Sequence, residues 1–266
     1  MAHEPLKEHV ASYWNQASCG TEFIQDKRYT AEYFKSIEQY RYEAEPEIFA
    51  FAQFSRWHNK KVLEVGIGAG TDFVQWVRSG AQAYGIDLTE EAVRNTTARL
   101  ALEGLTAREI LVADAEQLPY QDESFDLTYS WGVIHHSPDT EKCLSEMIRV
   151  TKPGGTIKLM IYNKHSLFAF YRYLLAGLCK GKPFARWDDL LFHYQESIGT
   201  KAYTFKQVRA MLQKYPVAIR MLQAPVTYHD MLRYKARPFQ WCAYLAACMF
   251  GWRSVGWFMM IEMEKR

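Results

Sequence analysis

The chain has 266 residues, 48% of them apolar and 15% aromatic, enough for one large α/β domain or two small ones with a sizeable core. Charged residues make up 23%, which excludes a disordered or low-complexity chain. Lys plus Arg (32) against Asp plus Glu (30) leaves a net charge of +2, far from the basic excess of a nucleic-acid binder, so no nucleic acid is expected as partner.

The five cysteines, Cys19, Cys143, Cys179, Cys242 and Cys248, are odd in number and show no C-x-x-C spacing, so neither a disulfide framework nor a metal site is expected. The polar start Met1-Ala2-His3-Glu4-Pro5 precedes no apolar run, which predicts a cytoplasmic protein without a secretory signal. The longest uncharged stretch, 238–252, falls short of the ~20 residues needed to span a bilayer.

In chain order, residues 1–57 read as helical and unusually aromatic. Thr30 suits the cap of a helix through Tyr42, and Pro46 the first turn of another ending near Trp57. From Lys61 short apolar strands alternate with capped helices. Strands are predicted over 61–65, 83–86, 109–113, 126–131 and 156–162, and helices over 71–78, 89–102 and 140–150. Asp139 is the expected cap of the last helix, and Lys152-Pro153-Gly154-Gly155 its stop. This alternation requires parallel pairing with right-handed crossovers, hence a doubly wound sheet. Further on, helices are predicted over 166–178, 204–214 and 239–250, a basic loop over 180–186, and strands over 217–222 and 256–262.

The sharpest local signal is Glu64-Val65-Gly66-Ile67-Gly68-Ala69-Gly70-Thr71, a G-x-G-x-G turn between a strand and a helix. Thr71 stands where a dinucleotide fingerprint needs glycine or alanine, and no G-K-[S/T] follows for a phosphate loop. Asp87 lies 21 residues after Gly66, at the end of the second strand, where a carboxylate can accept both hydroxyls of a ribose. Asp114 ends the third strand and Glu64 the first, both on the carboxyl edge of the sheet. Three acids around a glycine turn repel phosphate and suit a cationic ligand bearing ribose and adenine.

The segments VLEVGIGAGTD (62–72), YGIDLTEEAV (84–93), ADAEQLPYQDESFDLTYSWGVIHH (113–136) and RVTKPGGTIKLMIY (149–162) make the chain similar to the class I S-adenosylmethionine-dependent methyltransferases, in their methyltransferase-11-like branch. The resemblance covers roughly residues 58–163. It implies an α/β, Rossmann-like, doubly wound, mostly parallel seven-stranded sheet, with helical additions at the N-terminus and after strand five forming a lid. It also implies S-adenosyl-L-methionine as cofactor, with S-adenosyl-L-homocysteine as product. On this basis Glu64 steadies the glycine turn near the methionine amino group, and Gly66, Gly68 and Gly70 make room for the methionine and ribose. Asp72 is counted with them. Asp87 takes the ribose hydroxyls and Leu88 lies beside the adenine. Asp114 binds the adenine amino group with Ala115 and Glu116 as neighbours, and Ser130 and Trp131 face the methionine portion.

The domain expectations follow: an N-terminal cap (1–57), the cofactor-binding core (58–163), a helical insertion or lid (164–203), and the rest of the core sheet with an inserted apolar helix (204–266). The expected activity is methyl transfer to a small-molecule acceptor. The alternative is a peripheral membrane enzyme acting on a quinone, isoprenoid or other lipid-like substrate. Tyr13, Trp14, Tyr40 and Arg41 are candidate substrate contacts, Arg41 as an anchor for an acidic group. Candidate bases are His136, His135 and Tyr33. The two histidines are read as closing strand four, so that on an extended chain they point opposite ways and do not share a role. Phe239, Trp241, Tyr244, Leu245 and Met249 follow Arg233, Lys235 and Arg237; the favoured reading is a core helix packed against 163–178, and docking on an anionic membrane is the alternative.

Overall fold

The computed structural model describes residues 4–16, 18, 20–21, 23–173, 186, 189, 199–227, 230 and 237–266. The strands are β1 (Lys61–Val65), β2 (Gln82–Asp87), β3 (Glu109–Val112), β4 (Phe125–Trp131), β5 (Thr151–Asn163), β6 (Ala202–Tyr203), β7 (Val217–Gln223) and β8 (Phe258–Lys265). They form one sheet in the order β3-β2-β1-β4-β5-β8-β7, with β6 beside β5. Pairing is parallel except for β8, which runs antiparallel to both β5 and β7.

The sheet thus has eight strands rather than seven. β4 pairs with β5 only as far as Trp131 against Met160, so Tyr162 and Asn163 overhang, and the two residues of β6 take up that open edge. β6, within the segment 164–203 expected as a helical insertion or lid, lies in the sheet beside β5. β5 also begins earlier than predicted, because Thr151 already pairs with Phe125 before a register shift.

The α-helices are α1 (Glu4–Gln16), α2 (Ala31–Ala44), α3 (Glu47–Ala52), α4 (Thr71–Arg78), α5 (Glu90–Leu102), α6 (Thr140–Val150), α7 (Leu167–Tyr173), α8 (Phe205–Leu212) and α9 (Arg237–Phe250). Their starts are set by side-chain caps. Thr30 accepts from the Tyr33 amide, Thr89 from Ala92, Asp139 from Lys142, and Thr204 with Gln207 closes a reciprocal capping box. Side chains alternate across each strand, so Val62 joins one core layer with Trp57, Phe73 and Trp76, whereas Leu63 and Val65 join the other with Leu144, Met147 and Met259. Tyr33, Phe34 and Ile37 of α2 pack on Ala69, which sets the N-terminal helices over the glycine turn.

The chain runs outward from β1 through β2 to β3, then returns to β4 on the other side of β1. Ligands of open α/β sheets bind at this reversal, outside the carboxyl ends of the strands.

α9 corrects an expectation. Only Ala247 is fully buried along its described face, while Trp241, Tyr244, Leu245, Met249 and Phe250 are exposed, so it is not a core helix. The predicted helix over 166–178 is described as far as Tyr173. Its remainder, and the basic loop 180–186 apart from Arg186, lie outside the described residues. Among the described residues no helix is long and apolar enough to cross a membrane.

Candidate active site

The carboxyl ends of β1, β2, β4 and β5 border a cavity of about 580 Å³ roofed by α1 and α2. Its floor is the glycine turn. The amides of Gly66 and Ile67 both donate to Ile86 O, fixing the turn to β2. A Cβ on Gly66 would stand 2.3 Å from the Val133 side chain, and one on Gly70 would stand 2.7 Å from Thr96 Oγ1. These two glycines make room for the protein itself. Gly68, at φ +51°, would meet nothing within 4 Å, and it lines the cavity. Of the three, Gly68 is the one whose missing side chain leaves space for a ligand.

Acidic side chains ring this end. Glu64 is buried and accepts from Trp76 Nε1 at 2.6 Å; burial, with Asp72 close by, raises its pKa well above the ordinary range. Such a site favours an incoming cation. Asp72 accepts from Tyr42 Oη (3.2 Å), Tyr129 Oη (3.3 Å) and Arg41 Nη2 (3.2 Å). Asp87 Oδ2 accepts from the Gly68 amide at 3.0 Å, and its Oδ1 from the Thr89 amide and hydroxyl. Its pKa is raised by burial, which those hydrogen bonds oppose. Asp87 therefore shapes the turn as well as facing the cavity. Lys7 of α1 bridges Asp114 (2.6 Å) and Glu116 (2.8 Å), which draws the N-terminal helix over this end.

The opposite end is aromatic. Tyr13, Trp14, Phe23, Tyr40, Trp131, Tyr162, Trp257 and Phe258, with Met160, line it. Trp131 Nε1 donates to Glu45 Oε2 at 2.6 Å, and Arg41 pairs with the same carboxylate at 3.3 Å. The chain turns into the cavity wall after β4 because Gly132 takes φ +75°. A short 3₁₀ turn, Ile134–His136, follows.

The two histidines do not close a strand, as the sequence suggested. The tight turn sets their rings 4.3 Å apart instead of on opposite faces. They nevertheless differ. His136 lines the cavity, lies edge-on to Trp14 at 5.5 Å and has Nδ1 3.0 Å from Thr200 Oγ1. His135 is not among the lining residues; it packs on Tyr162 at 4.0 Å with neither ring nitrogen hydrogen-bonded. Burial holds its pKa well below the ordinary value, so it stays neutral.

Of the residues singled out from sequence, the structure gathers Glu64, Gly66, Gly68, Asp72, Asp87, Leu88, Asp114, Ala115 and Trp131 at the cavity, together with Tyr13, Trp14, Tyr40, Arg41 and His136. It does not bring Gly70, Glu116, Ser130, His135 or Tyr33 to the lining. Ser130 Oγ donates to Val65 O and so ties β4 to β1, and Tyr33 packs on Phe34 inside the helical layer. Arg41 lines the cavity and pairs with Asp72 and Glu45. Sequence reading missed Lys7, Glu45, Val133, Met160, Tyr162, Trp257, Phe258 and the Thr200 contact. Tyr162 could have been found as a strand end at the carboxyl edge. Trp257 and Phe258 enter from the start of antiparallel β8 and needed the topology.

Replacing Asp87 by Ala removes a cavity-facing carboxylate and the anchor of the Gly68 amide. We expect S-adenosylmethionine affinity to fall about ten- to a hundredfold, the equivalent of ~1–3 kcal/mol. Titration calorimetry on the folded variant measures this, and unchanged affinity would remove Asp87 from the site.

Residues 63–159 match the family model described as a methyltransferase domain. An uncharacterised protein of Mycobacterium tuberculosis is 33% identical over 108 residues, covering 41% of this chain and 39% of that protein. Norajmaline N-methyltransferase of Rauvolfia serpentina is 32% identical over 146 residues, covering 48% of this chain and 50% of the enzyme. The chain thus spans half or less of the length of these relatives. The solved structure of geranyl diphosphate C-methyltransferase from Streptomyces coelicolor A3(2) superposes with a TM-score of 0.65 over 98% of both chains, at 14% identity, which shows a shared fold. The glycine turn and its acids Glu64, Asp87 and Asp114 fall within this match, so residues 63–159 carry a segment similar to a methyltransferase domain, on a fold shared with a solved methyltransferase.

Proposed function

We propose that the chain transfers a methyl group from S-adenosylmethionine to a small, largely apolar acceptor that is neutral or cationic. The observation that carries this reading is one cavity with an acidic, glycine-walled end and an aromatic end. The first end fits the cofactor: Gly68 leaves open space, Glu64 favours an ammonium group, Asp87 and Asp114 offer carboxylates, and Leu88 and Ala115 supply apolar surface for a base. Bound there, the cofactor supplies an electrophilic methyl group on a sulfonium.

The chain's own residues then position the acceptor and exclude water, an effect that reaches effective molarities of ~10⁵ M. The aromatic walls hold an apolar body, and their faces attract a cation by ~0.5–2 kcal/mol. Among the described residues the lining cations are Lys7 and Arg41, and both are already committed to carboxylates, so none of them is left to counter a phosphate or carboxylate on the acceptor. His136, oriented by Thr200, accepts the proton of a hydroxyl or amine acceptor.

A screen that follows release of S-adenosylhomocysteine, run with matched pairs of lipophilic amines, phenols and alcohols and their carboxylated or phosphorylated analogues, tests the reading. Turnover is expected with the uncharged or cationic member of each pair. Turnover confined to the anionic members refutes it.

A further inference from the structure

α9 presents an apolar face that the described residues leave bare. Trp241 is 68% exposed, Leu245 57%, Met249 74% and Phe250 67%, and Tyr244 and Trp252 are also open. These side chains are contiguous: Tyr244 lies 6.4 Å from Trp241 and 5.4 Å from Trp252, ring centre to ring centre. The spacing 241, 244–245, 249 and 252 is one stripe of a helix continued into the turn that ends it. A connected stripe of this kind marks an interaction surface, unlike apolar residues scattered singly.

The surface is held firmly. Gly251 ends the helix at φ +96°, and the following residues are tied down by hydrogen bonds from the Val226 amide to Trp252 O (2.8 Å) and from the Ala224 amide to Arg253 O (2.7 Å). Asn163 at the end of β5 donates to Ser254 O (3.0 Å) and Gly256 O (2.9 Å). The next residues, Trp257 and Phe258, line the aromatic end of the cavity. The bare face therefore stands a few residues from the end where the acceptor is expected.

We infer that α9 and Trp252 dock this protein on an anionic lipid bilayer, lying in its surface. Charge and composition select this occupant. From Met231 to Ile261 the chain carries Arg233, Lys235, Arg237 and Arg253 and no Asp or Glu. Cations thus stand in sequence on both sides of the apolar stripe, and Arg253 is exposed. Trp and Tyr beside Leu, Met and Phe is the composition of helices that sit at the headgroup boundary. A second copy of the chain would bring four further cations against these four, with no acid in either segment to offset them.

Flotation of the full chain with vesicles tests the inference without any assay of methyl transfer. Phosphatidylglycerol-rich vesicles are expected to bind at least about tenfold more protein than pure phosphatidylcholine vesicles, with the difference shrinking in high salt. Bromine-labelled lipid should quench part of the tryptophan emission of the bound wild-type chain, a readout that needs no variant. The triple variant W241S/M249S/F250S changes exposed side chains only, so its thermal unfolding should match wild type while vesicle binding drops at least about tenfold. Three results would overturn the inference: no vesicle binding, binding that the triple variant retains, or a dimer in solution that the triple variant dissociates while vesicles bind nothing.

Discussion

Gly68→Val should abolish measurable S-adenosylmethionine binding, a loss of about a hundredfold or more, in a protein that still folds. Two effects combine at this position. A β-branched residue held at φ +51° is strained by ~1–3 kcal/mol, and its side chain projects into open cavity instead of against the protein. Gly66→Val and Gly70→Val give the contrast. Their side chains would collide with Val133 and Thr96, so those variants should first lose thermal stability. Calorimetric titration of each variant, with a melting curve beside it, separates the two outcomes. A folded Gly68→Val protein that binds the cofactor as tightly as wild type contradicts the assignment of this cavity.

His136→Gln should lower the single-turnover rate by about 10²–10⁴ at saturating cofactor, provided the acceptor gives up a proton. The geometry distinguishes it from its neighbour. His136 faces the cavity and bonds to Thr200, whereas His135 is sealed behind it, neutral, against Tyr162. His135→Gln should therefore leave the single-turnover rate close to that of wild type. Thr200→Val should lower the rate by a smaller factor, because the imidazole stays in place without its orienting partner. Equal single-turnover rates for wild type and His136→Gln would show that His136 moves no proton in the reaction.

Much of the core was legible because its signals are local. The strand–helix alternation, the caps at Thr30, Thr89 and Asp139, and the glycines before α4 depend on residues within a turn of one another, and each reappears in the structure within a few residues. Glu64, Asp87 and Asp114 reach the cavity for the same reason, Asp114 from two residues past β3: a carboxylate at or just beyond the end of a parallel strand lies on the carboxyl edge of the sheet whatever the rest of the chain does. Strand ends were less secure. The predicted strand 126–131 does end at Trp131, but the histidines read as closing it fall beyond it, where the turn at Gly132 sets two rings expected on opposite faces as tilted neighbours 4.3 Å apart.

What the sequence determined by itself is a doubly wound core with a glycine turn ringed by acids, because periodicity, capping and strand-end chemistry are short-range. What only the tertiary structure decided comes from segments far apart in the chain. Lys7 reaches Asp114 across 107 residues, and Trp257 joins Tyr162 in a stack with centroids 4.2 Å apart. Arg41 finds Asp72, and its charge is thereby balanced. The same holds for α9, whose composition favoured a core helix in the sequence but whose described apolar side chains lie exposed. Burial of an apolar stripe depends on whether another element arrives to cover it, and that is a property of the packed chain, not of the helix's own residues.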